Sequence, residues 1–144
     1  MTHKEKGHFA NKHAPDRKVD DRIAKIVKER SSNEEISCAA AFDIANDLKV
    51  SPEEVGFTID SLEIHIVKCQ LGLHGYQPDK KKVKSADSVP SELEKGIREA
   101  LVDDRLPCTF AWEIAKRFDL PKMEVSSACE ALKIKISSCQ LGTF

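Results

Sequence analysis

Residues 38–72, CAAAFDIANDLKVSPEEVGFTIDSLEIHIVKCQLG, are answered seventy residues later by residues 108–142, CTFAWEIAKRFDLPKMEVSSACEALKIKISSCQLG. Without a gap, Cys38 falls on Cys108, Ala41 on Ala111 and Ile44-Ala45 on Ile114-Ala115. Further along, Glu54-Val55 falls on Glu124-Val125, Leu62 on Leu132, and Ile64 and Ile66 on Ile134 and Ile136. Cys69-Gln70-Leu71-Gly72 then falls on Cys139-Gln140-Leu141-Gly142. Thirteen identities over the 37 positions from 38 to 74 exceed what chance gives, and self-similarity at a fixed period marks a repeated structural unit. The shift extends upstream, where Ile23 and Val27 align with Leu93 and Ile97. The chain therefore divides into a basic, flexible tail (1–19), a first repeat (20–74), a lysine-rich linker (75–89) and a second repeat (90–144). The linker, YQPDKKKVKSADSVP, has the composition of an exposed segment.

Within each repeat the periodicity changes twice. Residues 20–30 place apolar residues at 23, 26 and 27, a short amphipathic helix. In the second repeat Ser91 is expected to cap the matching helix, with Glu94 completing a capping box. A short extended piece follows, EISC or RLPC. The next stretch, AAAFDIANDL, puts Ala41, Ile44, Ala45 and Leu48 on one helical face. Lys49-Val50 form a tight turn, after which Ser51 as N-cap and Pro52 in the first turn open a third helix burying Val55, Ile59 and Leu62. EIHIVKC, and KIKIS in the second copy, then alternate with the period of a half-buried strand, which Gly72 and Gly142 end.

Helix, short strand, helix, tight turn, helix, strand is the order of a winged helix-turn-helix. FDIANDLKVSPEEVGFTIDSLEIHI and WEIAKRFDLPKMEVSSACEALKIKI resemble the helix-turn-helix core of bacterial transcription regulators. Ala45 and Ala115 match the small residue where that family's two helices cross. Val50 and Leu120 match the apolar residue of its turn, and Val55 and Val125 that of its recognition helix. The resemblance implies a mainly α fold with small β strands, built as two tandem winged-helix-like three-helix lobes with approximate twofold symmetry. It also implies DNA binding and transcription regulation. The sequence departs from the family in two places. Lys49 and Asp119 stand where the turn usually has glycine, and CQLGTF after the last strand is too short for a full wing.

Composition limits the function. The chain has 144 residues, 40% hydrophobic and 33% charged, with a net charge of −1. Bulk charge therefore does not hold it to nucleic acid. No apolar run reaches the roughly 18 residues of a membrane span, and the start carries no secretory h-region. Five scattered cysteines do not make a disulfide scaffold, and a reducing cytoplasm is the expected compartment. There is no Ser/His/Asp set, no apolar carboxylate pair and no phosphate-binding glycine loop. A non-enzymatic protein is expected.

Charge separates the two repeats. Residues 31–76 carry two basic and eight acidic side chains, and the third helix offers Glu53, Glu54 and Asp60 with no cation. Such a helix is repelled by a phosphate backbone. In the second repeat Lys116, Arg117 and Lys122 gather around the turn, and Lys133 and Lys135 flank the strand. With Lys80, Lys81, Lys82 and Lys84 of the linker, the first three are the expected DNA contacts, made to phosphates rather than base edges. The alternative is a protein-interaction adaptor whose acidic third helix in the first repeat meets a basic partner.

A third reading uses the thiols. Cys38, Cys69, Cys108 and Cys139 are equivalent in pairs, and four thiolates suit zinc or an iron–sulfur cluster. Against a metal stands the lack of two ligands two to four residues apart. Buried core cysteines inherited by duplication are the simpler expectation, and Cys129, the counterpart of Ile59, is expected in the core. His3, His8 and His13 lie in the tail at spacings that share no helical face. His65 is not repeated, because Lys135 takes its place. The duplicated Cys-Gln-Leu-Gly has no role that the sequence alone assigns.

Overall fold

The computed structural model describes residues 17–77 and 80–144. The chain forms two compact units, one running to Cys69 and including Leu141–Thr143, the other Gln70–Gln140 with Phe144. The first unit contains α1 (Asp21–Arg30), β1 (Glu35–Ser37), α2 (Cys38–Leu48), α3 (Pro52–Ser61) and β2 (His65–Val67). The second contains α4 (Ser91–Glu99), β3 (Leu106–Pro107), α5 (Cys108–Arg117), α6 (Lys122–Leu132) and β4 (Ile136–Ser137). The fold is mainly helical with short strands, as the periodicity requires.

Most of the positions that the apolar spacing selects are buried, but Ile26, Leu48 and Leu62 are only half-buried. In the first unit Ile23, Val27, Ile36, Ala41, Ile44, Val55 and Ile59 are each at most 2% exposed. Leu93, Ile97, Leu106, Ala111, Ile114, Val125 and Cys129 form the second core. Strand β1 pairs with β2 in parallel, Ile36 opposite Ile66, and β3 pairs with β4 in parallel, Leu106 opposite Ile136. The strand before the second helix thus bonds directly to the strand after the third.

Helix starts differ between the units for a chemical reason. Asp20, Ser37 and Ser51 accept hydrogen bonds from the first-turn amides of α1, α2 and α3, with Ser51 Oγ taking the Glu54 N–H at 3.2 Å. Prolines 90, 107 and 121 stand at the corresponding places in the second unit and offer no side-chain acceptor. Ser91 therefore does not cap α4. It is the first helical residue, and Glu94 instead pairs with Arg98 at 2.8 Å.

The turns that lack glycine are built by side-chain-bearing residues in the left-handed region. Lys49 has φ 55° and Asp119 φ 54°. In each case the next amide reaches back five residues, Val50 N–H to Ala45 O at 3.0 Å and Leu120 N–H to Ala115 O at 2.9 Å. This is the hydrogen bond of a Schellman-type helix end. Ile64 and Ile134 close the third helices in the same way, after Glu63 (φ 57°) and Lys133 (φ 60°).

Candidate functional site

A helix that reads a major groove must offer a free face. Here every residue of α3 from Val55 to Asp60 is buried. Asp60, expected among the exposed acids, is only 5% exposed. The reason lies in what packs on the helix. A Cβ added to Gly56 would lie 2.0 Å from the carbonyl oxygen of Leu141, so the backbone of the 141–143 segment lies against the helix. Arg17 adds further cover, its guanidinium 3.8 Å from the Phe57 ring centre and 2.8 Å from Glu54 Oε1. Helix α3 does carry a cation, then, supplied by a residue upstream of α1. Glu54 is engaged by it, which leaves Glu53 as the exposed acid of this helix with no ion pair among the described residues.

Helix α6 is covered by the linker. Met123, Ser127 and Glu130 share one helical face by their spacing. A Cβ on Gly72 would lie 3.1 Å from both Met123 Sδ and Val83 Cβ. Ala86 N–H donates to Ser127 O at 3.1 Å, and Lys81 pairs with Glu130. Lys82 N–H and Val83 N–H both donate to Gly72 O, at 2.8 and 3.1 Å. Val83 is 6% exposed. The linker expected to be exposed is thus held at buried Val83 by bonds to Gly72, and at α6 by the Ala86–Ser127 backbone bond and the Lys81–Glu130 pair.

Three of the cations the sequence singled out are sequence neighbours of the two residues, Val83 and Met123, that lie against Gly72. Lys82 and Lys84 flank Val83, beside Met123, and Lys122 is the neighbour of Met123 at the start of α6. Lys80, Lys82, Lys84, Lys116 and Arg117 are exposed, and Lys122 is half-buried. Three of these cations rest on aromatic rings: Lys122 Nζ is 4.4 Å from the Trp112 ring centre, Lys82 Nζ 5.5 Å from Tyr76, and Arg117 5.0 Å from Phe118. Lys81, paired with Glu130, is the cation of the run committed within the unit. The tail histidines His3, His8 and His13, with the basic residues beside them, lie outside the described residues.

The thiols behave as core residues. None of the five cysteines is in a disulfide; Cys38, Cys69, Cys108 and Cys129 are buried and Cys139 is half-buried. Among the described residues no group of three or more His, Cys, Asp or Glu side chains could hold a metal ion. Cys38 and Cys69 belong to the first unit and Cys108 and Cys139 to the second. Burial, reinforced by the charge of Glu130, pushes the Cys129 thiol up to about 12, far from a reactive thiolate.

The duplicated Cys-Gln-Leu-Gly has structural partners. Gln140 Nε2 donates to Cys108 Sγ at 3.6 Å, tying the end of the second repeat to the start of α5. Cys139 N–H donates to Phe144 O at 3.0 Å, closing a tight loop whose inner residue, Leu141, is 2% exposed. Leu141 belongs to the first unit, and its counterpart Leu71, fully buried, belongs to the second. Sequence reasoning found the motif but not this exchange, because identity between repeats does not say which unit a segment completes. His74 packs edge-on against Phe144 at 6.0 Å between ring centres, and burial lowers its pKa.

No protein-family model, no curated protein and no solved structure matches this chain. No helix among the described residues is long and apolar enough to cross a membrane.

Proposed function

We propose that the chain is a duplicated, winged-helix-like, non-enzymatic protein that associates with DNA as a transcriptional regulator, holding phosphates through its second unit rather than reading bases with a third helix. The duplication is supported by backbone conformations as well as identities. Left-handed residues recur at the same offset: Asn33-Glu34 and Asp103-Asp104, Lys49 and Asp119, Glu63 and Lys133, Lys68 and Ser138, Gly72 and Gly142. The reading is supported by exposed Lys82 and Lys84, which flank buried Val83, and by Lys122 in the first turn of α6. An α-helix N-terminus adds its own favourable field for an anion there. Cations resting on rings are partly ordered before binding, so less side-chain entropy is lost on contact.

The test is fluorescence anisotropy of the full chain with a mixed-sequence duplex between about 50 and 200 mM salt. Binding that weakens steeply with salt is expected. Lys82→Glu with Lys122→Glu should weaken it alike for every duplex sequence and flatten the salt dependence. Absence of binding at the lowest salt sinks the proposal.

A further inference from the structure

Four of the cysteines keep a spacing that burial alone does not require. The same interval separates Cys38 from Cys69 and Cys108 from Cys139. A core position accepts other apolar residues, as Ile59 at the place of Cys129 demonstrates within this chain. The paired thiols are nonetheless kept in both copies, and each follows a strand. Strands β1 and β2 end their pairing at Ser37 opposite Val67, and β3 and β4 end theirs at Pro107 opposite Ser137. The first cysteine of each pair stands just past that point, and the second follows one residue later on the other strand. Paired strands run about 4.8 Å apart, and a disulfide spans a Cα separation of about 4.4–6.8 Å. Backbone pairing thus delivers both cysteines of a unit to the same end of a two-stranded sheet.

In the second unit a side chain shows which way the inner thiol faces. Gln140, the residue after Cys139, donates from Nε2 to Cys108 Sγ at 3.6 Å. The Cys108 sulfur is therefore turned toward the segment that carries Cys139. Access differs as well: Cys38, Cys69 and Cys108 are buried, whereas Cys139 is half-buried. Cys108 is also the first residue of α5, where Pro107 as N-cap gives the first-turn amides no side-chain acceptor. A thiolate forming there takes the favourable field of the helix start together with the Gln140 donor.

We propose that Cys108 and Cys139 are a thiol–disulfide pair, oxidised by peroxide and reset by a small thiol. The Cys139 thiolate attacks one peroxide oxygen, the O–O bond breaks, and hydroxide leaves and is protonated to water. Cys139 is then a sulfenic acid. The Cys108 thiolate attacks Cys139 Sγ, the S–O bond breaks, and the second oxygen leaves as water. Two thiols and one hydrogen peroxide thus give one disulfide and two waters. Closing the bond displaces the Gln140 amide from the Cys108 sulfur. In a reducing compartment the pair rests as thiols, and thiol exchange restores them after oxidation. Cys38 and Cys69 keep the same layout with both members buried, so they react later. The proposal stands whether or not the protein binds DNA.

Peptide mapping reads the pairing directly, because a lysine or arginine separates each cysteine from the next and trypsin places all five in different peptides. The full chain, reduced and freed of reductant, is treated with hydrogen peroxide and mapped without further reduction. The expected result is an intact mass lower by two hydrogens, with the Cys108 and Cys139 peptides joined. The other three thiols should still alkylate, and dithiothreitol should reverse the change. Cys108→Ala should leave Cys139 as a sulfenic acid that dimedone traps, and Cys139→Ser should leave the Cys108 thiol intact at the same dose. Circular dichroism checks that both variants fold; if Cys108→Ala does not, the wild-type map still decides. Conversion of Cys139 to sulfinic acid with Cys108 still reduced, a link formed first between Cys38 and Cys69, or a link from Cys108 to any other cysteine overturns the proposal.

Discussion

Gly56 and Ser126 occupy equivalent positions and face opposite constraints. At Gly56 the carbonyl of Leu141 comes so close that a Cβ would sit 2.0 Å from it. No side-chain rotation relieves a clash with backbone. Gly56→Ala must therefore either displace the 141–143 segment or shift α3, and overpacking of this kind costs about 1–3 kcal/mol. Ser126 is fully buried and its Oγ has no hydrogen-bond partner among the described residues. An unmet buried hydroxyl costs about 1–3 kcal/mol, so Ser126→Ala should leave stability unchanged or raise it. Urea unfolding followed by far-ultraviolet circular dichroism compares the two. A Gly56→Ala protein as stable as wild type would mean that Leu141 is not held against α3.

Between these residues and the whole fold stand the helix ends, where the sequence is both most and least transparent. The three helices of each repeat were legible because Ile23/Val27, Ala41/Ile44/Ala45 and Val55/Ile59 recur at helical spacing and are all buried. The strand after the third helix was legible from the alternation of Ile64 and Ile66, although not its parallel pairing with the strand before the second helix. The cover over α6 was not, because a single valine among lysines has no period, and the backbone bonds that anchor it leave no mark on side-chain type. The burial of Asp60 was hidden for a related reason. Helical spacing shows which face meets the unit's own helices but not what a distant segment such as Leu141–Thr143 covers. The turns carry a direct prediction. Lys49 and Asp119 hold φ near 55°, a conformation that costs an ordinary residue roughly 1 kcal/mol and glycine almost nothing. Lys49→Gly and Asp119→Gly should each stabilise the protein by about 0.5–1 kcal/mol, the unfolded-state entropy of glycine offsetting part of the gain. A fall in thermal midpoint in both variants would show that these side chains make contributions beyond the turn.

At the scale of the molecule, the division into units cuts across the division into repeats. The first unit takes Leu141–Thr143 from the second repeat, and the second takes Gln70 and Leu71 from the end of the first. Leu71 is fully buried and Leu141 is 2% exposed, so each unit's interior is finished by a leucine from the duplicated Cys-Gln-Leu-Gly. This gives a physical reason for the motif to recur: in each copy its leucine is a buried residue of the unit built mainly from the other repeat. It also predicts a crossed response to mutation. Removing a buried leucine side chain costs about 2–5 kcal/mol, and that loss should fall on the unit that contains the leucine rather than on the repeat that encodes it. Leu141→Ala should speed amide hydrogen exchange in α3, whose Val55 and Ile59 lie some eighty residues earlier in the chain, while α6 stays protected. Leu71→Ala should do the reverse, exposing α6 while α3 stays protected. Local opening free energies translate directly into exchange rates, so even about 2 kcal/mol appears as more than a tenfold change. If Leu141→Ala instead loosened α6, the helix of its own repeat, the leucine would be an ordinary core residue of that repeat, and the duplicated motif would need another explanation.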